Sequence, residues 1–157
     1  MFCNVSCRKN ERRFTEMDQS GFQNSMFQTA AMGTEAIKQV MPKVHDPGLR
    51  NELDKQMNNY HNESNSIVSN MKKHDEQPQQ LPAFSRAMSK MGIALDLAFD
   101  NSTGHIAEMM IQGTNMGIIK LNKSMNAASD ITPETKKMAD EMLDREQKYI
   151  DRLKRFL

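Results

Sequence analysis

His105 and Glu108 stand three residues apart, and Glu146 falls on an apolar repeat near the end of the chain. A histidine and a carboxylate at that spacing share one face of a helix and can offer two ligands to one divalent ion, with Gln112 a turn further on. Glu146 raises a different question, because an acid on an apolar stripe must be paired, hydrogen-bonded or protonated to tolerate burial. His105, Glu108 and Glu146 are therefore the candidate metal ligands, for a divalent ion. Each has a plainer explanation. His105 and Glu108 fit a solvated face near a helix start, and Glu146 fits a structural hydrogen bond to Gln56, Tyr60 or the opposite helix. The first expectation is no cofactor.

Other reactive types offer less. Cys3 and Cys7 form a C-x-x-x-C pair with no second Cys/His pair nearby to complete four ligands, and are expected to be ordinary thiols on a tail. No Ser, Cys or Thr sits in a motif with a base and an orienting acid, and no glycine-rich loop follows a strand. No catalytic residue is assigned. His61 adjoins Tyr60 and is expected at the surface. Gly113 and Gly117 form a G-x-x-x-G that permits close helix approach. The chain is methionine-rich, with 15 in all, and Met26, Met57, Met71, Met88, Met110 and Met142 fall on apolar stripes. Their flexible thioethers are expected to fill the core instead of binding copper.

The elements that position these residues read as helices. Residues 22–41 stripe Met26, Ala30, Gly33, Ile37 and Val40 at helical spacing, and Pro42 and Pro47 bracket the end. Residues 48–74 repeat the rhythm through Leu49, Leu53, Met57, Tyr60, Ser64, Ile67 and Met71. "DEQPQQLP", residues 75–82, breaks the pattern, and a shorter amphipathic piece follows with Phe84, Met88, Met91, Leu95 and Phe99 on one side. "DNST", residues 100–103, supplies caps for a helix over 102–126 whose stripe is read as Ile106, Met110, Gly113, Gly117 and Leu121. Glu108, Gln112 and Asn115 then lie on its wet edge. Thr132, Pro133 and Glu134 start the last helix, which carries Ala139, Met142, Glu146, Tyr149, Leu153 and Phe156. Pairs Glu141–Arg145, Asp144–Lys148 and Asp151–Arg155 are expected along its outer face.

No window alternates in the manner of a strand, so an all-α domain is expected. The first two helices and the last two are joined by short turns and must be antiparallel, whereas the middle connection of about 25 residues is long enough to cross the bundle. The predicted fold is a four-helix bundle of two antiparallel hairpins joined by a long crossover containing a short helix, over residues 21–157, preceded by a flexible tail over 1–20. Met17 is a possible natural start. The 21 basic and 20 acidic residues leave a net charge of +1, which argues against a nucleic-acid partner. The most apolar run, Met91 to Phe99, is too short to span a membrane and contains Asp96. "MFCNVSCRKNERR" has no apolar stretch typical of a secretory signal, so a cytoplasmic location is expected.

The layout from about residue 20 to 157 resembles the ferritin-like four-helix bundle. "IAEMMIQGTNMGI" and the closing "REQKYIDRLKRFL" resemble the small uncharacterised ferritin-like proteins of Gram-positive bacteria. That resemblance implies a comparison with the di-iron members, which place a Glu on each of two helices and a Glu-x-x-His on each of the other two. Glu35 lies off its stripe, Gln56 and Asn59 are not anionic, and Tyr149 stands where a histidine should follow Glu146. Glu108 and Glu146 alone match, so a complete di-iron centre is not expected. The sequence is read as a non-catalytic bundle acting through self-association or a protein partner. The alternative, which the resemblance implies, is a degenerate ferritin-like protein keeping one weak carboxylate site around Glu108 and Glu146 for iron or manganese.

Overall fold

A computed structural model of the chain describes residues 17–81, 92–94 and 96–157. Four long helices carry the fold: α1 (Gln19–Val40), α2 (Pro47–Lys72), α3 (Thr103–Ala127) and α4 (Pro133–Leu153). Each begins at an Asp, Ser or Thr whose side chain accepts from a backbone amide three residues on: Asp18 from Gly21, Asp46 from Leu49, Ser102 from His105 and Thr132 from Thr135. These bonds satisfy donors that the first helical turn leaves free. Pro47 and Pro133 occupy the first turns of α2 and α4, where no backbone donor is lost.

Polar contacts between helices fix their directions. Near the start of α1, Gln23 meets Asn70 at the end of α2 and Thr135 at the start of α4, and the Ser25 and Ser124 hydroxyls are 2.7 Å apart. At the other end, Phe156 lies against Gly48 at the start of α2, and its backbone approaches Gly104 at the start of α3. So α1 and α4 run one way and α2 and α3 the other, and the chain between Lys72 and Thr103 crosses the bundle. Residues 92–94 and 96–99 of that crossover are helical. The expected pair of antiparallel hairpins with a helix in the crossover is present. At 26 residues, α2 is about 39 Å long.

The core stripes agree with the sequence on three helices. Phe22, Met26, Ala30, Ile37 and Val40 of α1, Leu49, Leu53, Tyr60, Ile67 and Met71 of α2, and Ala139, Met142, Tyr149 and Leu153 of α4 are all buried. The methionines expected inside are inside, with Met57 partly so and Met88 outside the described residues.

Four expectations need correction. Gly113 is exposed, and a Cβ built on it meets nothing within 4 Å. Ile106, Met110 and Leu121 face inward as expected, and Ala107 and Thr114 complete that face in place of Gly113. Phe99 is not buried on the crossover helix: it is 90% exposed, whereas Leu97, among the described residues of that helix, is buried. Phe84, Met88, Met91 and Leu95 lie outside the described residues, as do Cys3 and Cys7. Residues 17–20 do not belong to a loose tail. Met17 donates to Ala127 O at 2.8 Å and accepts from Ser129 N at 2.9 Å, and Asp18 caps α1. Lastly, Lys148 pairs with Asp144 at 2.8 Å as expected, but Arg145 and Arg155 leave their own helix and pair with glutamates of α2. A carboxylate already buried away from water gains more from a cation than a solvated one does.

Candidate functional site

Among the described residues, the buried carboxylates gather where α2 faces α4. Glu52, Gln56, Tyr60 and Glu63 follow one another at steps of four, four and three, so one face of α2 presents them all. Each is buried, Gln56 completely. From α4 come Arg145, Glu146, Tyr149 and Arg152. Tyr60 Oη donates to Glu146 Oε2 at 3.0 Å, and the two tyrosine rings meet edge to face with centroids 5.5 Å apart. The Tyr60 ring also sits on Gly33 of α1, where a Cβ would stand 2.5 Å from Cε2. Gly33 is therefore the close approach that the sequence assigned to Gly113.

The electrostatics separate the carboxylates. Burial pushes Glu146 up to about 8; the Tyr60 hydrogen bond pulls it back, nearby Glu63 raises it, and Arg145 lowers it. At neutral pH this carboxyl is held mostly protonated. Glu63 is also raised by burial, against the pull of Arg145, whose Nε donates to Glu63 Oε1. Tyr149 is raised to about 12, first by burial and then by Glu63. Glu52 lies between two guanidinium groups, Arg152 at 3.6 Å and Arg155 at 3.5 Å, and Gln56 Nε2 donates to it at 3.2 Å. Arg152 also stands over the Tyr149 ring, 5.5 Å from its centroid. Beside the Glu63–Arg145 pair lies a cleft of about 210 Å³, lined also by Asn59, Asn62, Met26 and Met142. It is smaller than the 300–1,000 Å³ or so typical of a small-molecule pocket.

The candidate ligands named from the sequence are not brought together. Glu108 is exposed on α3, where Gln112 Nε2 donates to it at 3.2 Å. His105 Nε2 is 3.4 Å from Asp96 Oδ1, a residue of the crossover helix. Glu146 is 1% exposed, inside the α2–α4 seam. Glu35 pairs with Lys38 at 3.3 Å, and His61 is exposed as expected. Among the described residues, no group of three or more His, Cys, Asp or Glu is placed to hold a metal ion. Glu52 and Glu63 escaped the sequence reading. The available signal was their spacing with Gln56 and Tyr60, together with Arg145, Arg152 and Arg155 at steps of seven and three near the end of the chain.

No family model, curated protein or solved structure matches this chain. Among the described residues, no helix is long and apolar enough to cross a membrane.

Proposed function

We propose that the chain is a non-catalytic four-helix bundle of ferritin-like layout that acts by associating with itself or with a protein partner. The support for that layout is the direction of the helices: two hairpins, with the second reversed by an end-to-end crossover. The observation that carries the association reading is the outer side of α3 and α1. There Met116 is 70% exposed, Ile119 54% and Met32 45%. Large apolar side chains grouped on the outside of a small protein mark a contact surface more often than scattered ones do. The interior polar groups, by contrast, are engaged with one another: Glu146 with Tyr60, Glu63 with Arg145, Glu52 with Arg152 and Arg155. Each pairing offsets part of the cost of burial, while Glu63 Oε2 and Glu146 Oε1 stay buried without a hydrogen-bond partner.

Elemental analysis of protein purified without chelator tests the reading against a degenerate carboxylate metal site. The expected result is protein without bound iron, manganese or zinc, whose melting temperature is unchanged by adding any of them. Metal near one equivalent, lost together with thermal stability in Glu146→Gln, would overturn it.

A further inference from the structure

The outer stripe of α3 has a pattern of its own. Glu108, Gln112, Met116, Ile119 and Lys123 follow at steps of four, four, three and four, and all five are exposed. The stripe thus begins with an acid, ends with a base and carries its apolar residues between them. Met116 lies midway between Glu108 and Lys123, which are about 22 Å apart along the helix. Beside it is the open space at Gly113. Met32 of α1 adds to the same patch: Lys120 Nζ donates to Gln28 Oε1 at 3.5 Å, and α1 and α3 are antiparallel. One turn from Gln28 toward Met32 is therefore one turn from Lys120 back to Met116.

We propose, resting on the association reading above, that this face docks on a second copy of the same chain, with the two α3 helices antiparallel about a two-fold axis beside Met116. The argument is charge complementarity. Reversing the stripe about its midpoint sets Glu108 of each copy against Lys123 of the other, so the pattern is its own complement. A parallel arrangement would set acid against acid and base against base. In the antiparallel pair, Gln112 comes opposite Ile119 and Met116 approaches the space beside Gly113. The apolar centre supplies affinity, and the charged ends fix the direction.

Sedimentation velocity over a range of protein concentration tests this with the parent, Glu108→Lys, Lys123→Glu and the double charge exchange. The expected result is a reversible dimer in the parent. Each single reversal should weaken it about tenfold, since both symmetry-related pairs turn from attractive to repulsive. The double exchange should restore it. Residues 108, 116 and 123 are all exposed, so circular dichroism melts should stay together; Met116→Lys should abolish the dimer with the same melt. A monomeric parent, single reversals that associate like the parent, or a double exchange weaker than either single would overturn the proposal. A parent that is monomeric and metal-free overturns this docking alone, whereas bound metal near one equivalent overturns the association reading beneath it.

Discussion

Between α2 and α4 the interior holds Glu52, Glu63 and Glu146, with three arginines at its edge; between α1 and α3, Ser25 meets Ser124 and Thr29 lies against Gly117. The first seam is held by directional bonds between groups that water would otherwise solvate. Its net gain is small because desolvation offsets much of the attraction, but removing one partner is costly. The second depends on volume, because a Cβ at Gly117 would already stand 3.3 Å from Thr29 Cγ2. One seam should therefore respond to pH and the other to side-chain size.

Gly33 is where both sensitivities meet, so Gly33→Leu is expected to have the largest effect. The added side chain would displace the Tyr60 ring and with it the hydrogen bond to Glu146, costing about 3 kcal/mol. Urea unfolding measures the loss; a midpoint within error of the parent would mean that Tyr60 does not rest on Gly33.

Glu146→Gln isolates the charged seam. Its carboxyl is raised from 4.5 to about 8, so the folded state favours the protonated form. The stabilisation that this proton binding brings is complete below about pH 4.5 and is lost as pH rises toward 8. Gln keeps an acceptor for Tyr60 and never ionises. The variant should match the parent near pH 4.5 and exceed it by roughly 2 kcal/mol at pH 7. Melts at the two pH values provide the check, and a variant less stable at pH 7 would show Glu146 to be a paired anion.

The α1–α3 seam should behave otherwise. Gly117→Leu is expected to cost roughly 1–2 kcal/mol by crowding Thr29, by the same amount at pH 4.5 and pH 7. A pH-dependent loss would dissolve the distinction between the seams. Smallest of all is Gly113→Ala, which enters open space and exchanges glycine for a better helix former. It should gain about 0.5–1 kcal/mol, and any loss in a chemical denaturation curve would place Gly113 back in the core.

That last pair of glycines shows where the sequence was readable. Caps and stripes depend on neighbours a few residues away, so Ser102, Thr132 and the inward faces of α1, α2 and α4 were legible. On α3, Ile106, Met110 and Leu121 were legible too, and only the middle of the stripe was not, where Gly113 is turned outward and the stripe passes through Thr114. That hydroxyl is buried only because it donates to Met110 O at 2.8 Å, a bond that composition does not reveal. Glu146 and its partner Tyr60 were legible because an acid on an apolar stripe demands an explanation. Glu52 and Glu63 were not, since their burial depends on arginines some 80 or more residues further along. Arg145 had an eligible partner within its own helix in Glu141, and only packing decides between a solvated carboxylate and a buried one.

The short bridge at Met17 has a consequence for how the molecule opens. Met17 and residues 127–129 exchange two backbone hydrogen bonds across more than a hundred residues, just ahead of the cap of α1. Residues at the start of a helix ordinarily fray and exchange their amide protons quickly. Here α1 cannot peel from that end unless the clasp on the α3–α4 turn also gives way. The amide protons of Met17 and Ser129 should therefore exchange together, at the slow rate of the whole bundle.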